Sequence, residues 1–266
     1  MTTPVALTIA GSDSSGGAGI QADLKTFAAF GVYGASVITA LTAQNTQGVR
    51  GVHPVPADFV TAQLEAVFDD LDVSAVKIGM VAELDIVKAI ASNLSRRAPD
   101  HVVLDPVMVA TSDDRLLSPD AVKCLRDDLM PRATLITPNL PEAAALLEED
   151  VAASEAAIAD QGRRLLALGA RAVLIKGGHG KGAESIDYLF TQDGVTALPA
   201  PRIATKNTHG TGCSLSSAIA AGLAKGETLE QAVRHAKTWI SAAIAAADRI
   251  SVGKGHGPIH HFHRFD

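Results

Sequence analysis

Cysteine is too rare for a disulfide framework: the chain has two, Cys124 and Cys213, which removes the small stapled secreted folds. Cys124 lies in the helix-like run 121–129 and reads as an inert packed thiol. Aromatic residues are scarce at 4%, whereas Ala, Val, Leu and Ile abound, a composition suited to helices laid on a sheet. No Lys/Arg cluster forms a basic face and the net charge is −6, which argues against a nucleic-acid partner. Arg96-Arg97 and Arg163-Arg164 read as solvated helix faces. No apolar run reaches the roughly 18 residues of a membrane span. The start, Met1-Thr2-Thr3-Pro4, lacks a basic n-region, and Val5–Ala10 is too short for a signal peptide. With 266 residues, 47% hydrophobic and 20% charged, the expectation is a cytoplasmic protein forming one domain with a sizeable core.

What is present alternates. Short apolar or β-branched runs at Val5–Ala10, 36–41, Ala75–Ile78, 101–104, 134–137 and 172–175 read as strands. Helical patterns fill 18–30, Ala57–Asp70, Leu84–Arg97, 119–129, 142–147 and 154–168, with Ser154 as N-cap and Gly169 as stop. That order predicts an α/β fold of βαβ units, a central mostly parallel sheet with helices on both faces. Segments 187–190 and 195–198, joined through Gln192-Asp193-Gly194, predict a hairpin. Leu229, Val233, Ala236, Ile240, Ile244 and Ala247 mark the buried face of a last long helix. Four histidines in 252–263 invite a metal site, but no cysteine accompanies them and no spacing fixes a geometry. A packed irregular terminus is the better expectation.

The unusual residues collect where strands end, and in a doubly wound sheet ligands bind beyond those ends. Val5–Ala10 runs into the glycine-rich 11–19, and Ile78 is followed by Gly79-Met80. Leu104 is followed by Asp105-Pro106, Ile136 by Thr137-Pro138-Asn139, and Ile175 by Lys176-Gly177-Gly178-His179. The stretch Asn207-Thr208-His209-Gly210-Thr211-Gly212-Cys213-Ser214 then opens an Ala/Leu/Ile helix. Glycines let backbone N–H groups converge there, and the helix N-terminus favours an anion. The spacing is neither a Walker A loop nor Gly-x-Gly-x-x-Gly.

Such a mouth suits phosphoryl transfer, which needs positioning and charge neutralisation more than covalent work. Lys176 sets an ammonium against phosphate oxygens. Asp105, Asn139 and Glu142 offer hard oxygen ligands for Mg²⁺, although Glu142, one turn into a helix, also fits a capping-box acid. Asp23 offers a carboxylate to a small substrate. Gln44, in the polar loop 42–46, carries donor and acceptor for a heterocycle edge.

The segments 10–25, 39–46, 103–110, 137–143 and 207–214, together with the tail 257–263, resemble the hydroxymethylpyrimidine/phosphomethylpyrimidine kinases of thiamine biosynthesis. The motifs run in order from Gly11 to His263. The resemblance implies a ribokinase-like fold and two ATP-dependent phosphorylations at one site. The first falls on the hydroxymethyl group of 4-amino-5-hydroxymethyl-2-methylpyrimidine, the second on that monophosphate. It implies Gln44 on the pyrimidine edge, with Gly11, Asp23, Met80 and Val107 around it. Asn139 and Glu142 would serve Mg²⁺ and phosphates, and Gly210, Thr211, Gly212 and Cys213 would form the anion hole. The ATP side is expected to take Thr137, Asn139, Lys176, Thr208 and His209. A homodimer is expected on resemblance alone.

Many members of the wider superfamily carry an aspartate base where this chain has Cys213. Two roles are open to it: a thiol assisting deprotonation of the substrate hydroxyl, with its pKa depressed by the helix N-terminus, or a small residue fitted into a tight turn. Related pyridoxal kinases are the alternative, and some carry a second cysteine in the loop after the Asp-Pro-Val-Met strand end. Here that loop, Val109-Ala110-Thr111-Ser112-Asp113-Asp114, has none, which favours the pyrimidine. Asp113 adds a charge where glycine is common in the family. A cysteine hydrolase using Cys213 and His209 lacks a third residue to orient the histidine.

Overall fold

A computed structural model describes residues 2–81, 83–108, 118–179 and 182–265. The chain runs through β1 (Val5–Ala10), α1 (Gly19–Ala29), β2 (Tyr33–Ile38), β3 (Ala40–Asn45), β4 (Gly48–Pro54), α2 (Ala57–Asp70), β5 (Ala75–Ile78) and α3 (Leu84–Arg97). It continues through β6 (Val102–Leu104), α4 (Pro119–Cys124), β7 (Leu135–Ile136), α5 (Leu140–Leu147), α6 (Glu155–Ala167) and β8 (Val173–Ile175). β9 (Glu184–Thr191), β10 (Gly194–Pro201), α7 (Thr211–Ala224) and α8 (Leu229–Ala245) complete it.

Eight strands form one sheet in the order β10-β9-β8-β7-β6-β5-β1-β2. From β2 to β8 all neighbours are parallel, while β9 and β10 join antiparallel as the expected hairpin. Parallel strands covered on both faces read as continuous apolar runs, and β1 is buried at all six positions. Alternate residues then feed two cores, as the pleat requires. Leu7, Val76, Leu104, Ile136 and Val173 enter one core with α2, α3 and α5. Ala6, Ala75, Val103, Leu135 and Leu174 enter the other, beneath α1, α7 and α8, where Trp239 and Phe27 sit.

The expected strand 36–41 is divided at Thr39. Ile38 ends β2 and Ala40 begins β3, while Thr39 is fully buried and donates its hydroxyl to the Met80 carbonyl (2.7 Å). Of the polar loop expected at 42–46, residues 42–45 are instead strand, with Thr46 in the turn: β3 pairs antiparallel with β4 in a separate two-stranded sheet. β4 has no buried residue, so hydrophobic alternation could not announce it. The expected helix 119–129 is α4 followed by a π-helical turn, Leu125–Leu129. No helix among the described residues is long and apolar enough to cross a membrane.

Candidate active site

A cleft of about 720 Å³ lies beyond the carboxyl ends of the parallel strands. Gly210 caps α7 in the left-handed region, at φ 79°, and a side chain there would overlap the Gly17 carbonyl oxygen. The two glycine-rich loops therefore touch backbone to backbone. The position a Cβ would take on Gly212 is 3.4 Å from Lys176 Nζ and 3.7 Å from Asp105 Oδ2. Thr211 closes the turn by donating to the Thr208 carbonyl (2.7 Å). The first turn of α7 thus faces an ammonium and a carboxylate across a gap one residue wide.

Lys176, at the end of β8, donates to Asp105 Oδ1 (2.8 Å) and lies 3.7 Å from Glu142 Oε2. Asp105, at the end of β6, also accepts from Thr137 Oγ1 (3.0 Å) and Ser216 Oγ (3.3 Å). Burial opposes ionisation of Asp105, but Lys176, Lys77 and these hydrogen bonds hold its carboxyl below the usual range. Burial likewise opposes the charge on Lys176, and the two carboxylates override it. Glu142 is pushed up to about 7, chiefly by burial and then by Asp105, with Lys176 offsetting part.

Of the two readings of Glu142, the capping box is present. Asn139 Oδ1 accepts from Glu142 N and Glu142 Oε2 accepts from Asn139 N, each at 2.8 Å. The amide oxygen expected on a metal is therefore committed to α5. Among the described residues no three His, Cys, Asp or Glu side chains gather as a metal cage. The donors that remain, the Asp105 and Glu142 carboxylates, fit Mg²⁺, which takes one or two carboxylates and completes its shell with waters and phosphates.

At the other end of the cleft Gly11, Gln44, Met80 and Val107 line the wall. A Cβ on Gly11 would meet the Met80 methyl, the movable end of that side chain. His209 does not turn toward Lys176 as expected of an ATP contact. Its ring rests on Gly17, and Nε2 lies 2.8 Å from Asp13 Oδ2 and 3.4 Å from the Gln44 amide. Thr208, by contrast, lines the cleft on its backbone turn. Thr137, also expected on ATP, is fully buried and serves Asp105 instead. The loop 109–114, with Asp113, lies outside the described residues.

Asp23 does not reach the cleft. It is fully buried, accepting from Thr8 Oγ1 (2.6 Å), Ser217 Oγ (2.7 Å) and Lys77 Nζ (2.8 and 2.9 Å). Lys77, the ammonium that pairs with Asp23, also borders the cleft and was not singled out by the sequence alone. Its signal was a lone charge inside the four-residue apolar strand Ala75–Ile78. Parity sends it to the face of α1 and α7, paired in register with Thr8, and its stem lines the cleft floor.

Cys213 lines the cleft beside these groups. Burial pushes its thiol up to about 11, with Asp23 and Asp105 adding to the rise and Lys77 opposing it. That is the reverse of the depression expected from a helix N-terminus, whose effect the desolvated setting outweighs.

The histidine-rich tail is a packed strap. His209 N donates to the Gly257 carbonyl (3.1 Å), His256 N to the Thr46 carbonyl (2.9 Å), and Gly257 N to Asn207 Oδ1 (3.0 Å). His261 Nε2 lies 2.9 Å from Ser214 Oγ, and burial holds this imidazole down to about 4. His261 and His263 both pack against Trp239, and among the described residues the tail histidines form no three-ligand metal cluster.

Asp13 also governs acid stability. Burial works against its charge, yet His209, Ser15 and the Ala18 amide hold its carboxyl well below the ordinary 3.8. A folded-state value below the unfolded one stabilises the fold above the unfolded pKa, and the contribution is lost as pH falls through the window beneath it. Thermal melts should therefore decline between pH 5 and about pH 3, and Asp13→Asn should show a smaller decline over the same interval. Equal slopes would refute the assignment.

Comparison with known proteins gives the family and the fold of the chain. A family model described as phosphomethylpyrimidine kinase matches residues 13–260. The chain is 59% identical to the hydroxymethylpyrimidine/phosphomethylpyrimidine kinase of Rhizobium meliloti, over 99% of this chain and 98% of that one. Its fold matches phosphomethylpyrimidine kinase from Clostridium difficile, with TM-score 0.81 and 44% identity over 90% of this chain and 99% of that one. It also matches an ADP complex of Bacillus subtilis pyridoxal kinase, with TM-score 0.91 and 39% identity over 98% of both.

Proposed function

The chain belongs to the phosphomethylpyrimidine kinase family, and from that premise we propose that it makes the pyrimidine diphosphate of thiamine biosynthesis. ATP phosphorylates the hydroxymethyl group of 4-amino-5-hydroxymethyl-2-methylpyrimidine, and a second ATP phosphorylates the monophosphate. One observation carries the reading. A partly buried ammonium, Lys176, stands opposite the glycine-opened N-terminus of α7 in a cleft that Gln44 also lines.

In this reading the Gly210–Cys213 backbone and Lys176 hold the travelling phosphoryl group and neutralise its charge. Asn139 and Thr208 border the nucleotide. Gln44, Gly11, Met80 and Val107 surround the ring, and Asp105 orients Lys176. Mg²⁺, held by Asp105 and Glu142, would shield the phosphate oxygens of bound ATP. The chain acts as one catalytic domain in a cytoplasmic homodimer. The exposed apolar side chains Tyr33, Leu41, Val52 and Phe59 support the pairing.

Cys213 is assigned to packing rather than to base catalysis. A thiol near 11 is almost wholly protonated at neutral pH, and a loose phosphoryl-transfer transition state asks little of a base. Cys213→Ala is expected to keep kcat for the first step within about tenfold, where loss of a general base would cost about 10²–10⁴-fold. Its pH–rate profile should overlay that of the wild type between pH 6 and 9; a slope lost in the variant would restore the base.

An ATP-consumption screen with the pyrimidine alcohol, its monophosphate and pyridoxal tests the whole reading. Turnover of the first two is expected. Turnover of pyridoxal alone would favour a pyridoxal kinase, the second reading raised by the fold match to that enzyme. No turnover of either pyrimidine overturns the proposal.

A further inference from the structure

Asp187 is a carboxylate buried within β9, and the reaction as read above does not use it. Both of its oxygens are engaged. Oδ1 accepts from Gly177 N (2.8 Å) and Oδ2 from Lys237 Nζ (2.8 Å). Lys237 reaches across from α8 and also donates to the Ser185 carbonyl (3.1 Å). A carboxylate stays in such a place only where a cation and hydrogen-bond donors compensate its charge. An ion pair between a strand and a helix therefore holds one peptide N–H.

That N–H belongs to the peptide that follows Lys176. The preceding peptide is held as well, because Lys176 N donates to the Pro138 carbonyl (2.9 Å). A residue has two soft backbone dihedrals, so holding the peptide on each side of it sets both. β8 ends at Ile175, and the clamp takes over where the strand stops. Arg202 extends it. Its Nη2 reaches the Gly177 (3.4 Å) and Glu184 (3.0 Å) carbonyls, Nη1 the Gly178 carbonyl (2.7 Å) and Nε the Gly182 carbonyl (2.9 Å). Four of its five N–H groups thus go to main-chain oxygens. A guanidinium presents donors in such a fan, whereas a lysine ammonium acts from a single point. Gly177 itself lies against β9, where a Cβ would overlap the Ile186 carbonyl oxygen.

We propose that Asp187, Lys237 and Arg202 are positioning residues for phosphoryl transfer, acting through the backbone of Lys176. The inference rests on the reading of Lys176 as the ammonium that meets the travelling phosphoryl group. Asp105 holds the head of that side chain at 2.8 Å, and the clamp holds its root. With the root loose, the long stem would still meet Asp105 but would carry Nζ away from the gap at Gly212. A misplacement of about 1 Å is enough to cost about 10²-fold in rate.

The test is a double-mutant cycle on kcat for the first phosphorylation, run below the melting transition of every variant. Arg202→Ala should lower kcat by about tenfold. Asp187→Leu with Lys237→Met removes the ion pair without stranding a charge, and should lower kcat by about ten- to a hundredfold. KM for the pyrimidine alcohol should not move in either. Arg202→Lys keeps the charge without the fork and should be as slow as Arg202→Ala. Both changes are then repeated in a Lys176→Ala background. Residues that act only through Lys176 have nothing left to position there, so neither change should slow that enzyme further. Wild-type kcat in the clamp variants, or a raised pyrimidine KM with kcat unchanged, overturns the inference. Lys176→Ala separates it from its premise. If that variant keeps the wild-type kcat, the ammonium is not at the transfer centre and both readings fall. If it is slow, and the clamp changes slow it as much as they slow the wild type, the positioning role alone falls.

Discussion

Replacing Lys176 with alanine is expected to lower kcat for both phosphorylations by about 10²–10³-fold, the scale set by removing one preorganised group that stabilises transition-state charge. Its ammonium is held by Asp105 at 2.8 Å and lies beside the space opened by Gly212, so it has one position and no need to reorganise during transfer. The substitution also strands Asp105, a carboxylate 1% exposed, with Thr137, Ser216 and a more distant Lys77. Some of the loss would therefore be destabilisation. Asp105→Asn combined with Lys176→Ala removes the stranded charge. The double variant should melt higher than the single one yet stay as slow, and recovery of turnover with recovery of stability would contradict the assignment.

The second large effect is structural. Lys77→Met should destabilise the fold by about 3–5 kcal/mol, because it leaves Asp23 as an unpaired buried charge. Burial works against the charge on Lys77, and the Asp23 carboxylate, with Asp105 behind it, outweighs that and holds the ammonium above its usual range. Asp23→Asn added to Lys77→Met keeps an acceptor for Thr8 and Ser217 while removing the charge, and most of the stability should return. Urea titration of the two variants at one pH measures this. An additive double variant would mean that the pair is not coupled.

Much of the sheet was legible because its strands are buried on both faces and bounded by glycine or polar residues. β1, β5, α2 and α3 fall at their expected bounds. The β3–β4 sheet was not legible: it stands outside the main sheet with few buried positions, and burial is what imposes period two. The expected site residues divide along similar lines. Gly11, Gln44, Met80, Asp105, Val107, Lys176 and Gly210–Cys213 all border one cleft, since backbone position alone takes a strand end or a helix start there. Asp23 and Thr137 lie outside the cleft, and the His209 ring, though at its wall, turns to Asp13, because their directions depend on partners remote in the chain. Those partners, 54, 32 and 196 residues away respectively, leave no local trace. His209 adjoins Gly210 in sequence, yet its ring turns toward Asp13.

The backbone contact between the two glycine loops bears on how this enzyme can change its substrate. At Gly210 and Gly17 any side chain meets the opposite loop, and at Gly11 it meets Met80. In a library of single substitutions Gly210 and Gly17 should be nearly silent, yielding dead variants and few altered ones. The hairpin β3–β4 is less confined: Gln44 and Val49 border the cleft, and no residue of β4 is buried. New specificities should therefore be found by selection on the hairpin, with the two glycine loops passed on intact from one variant to the next.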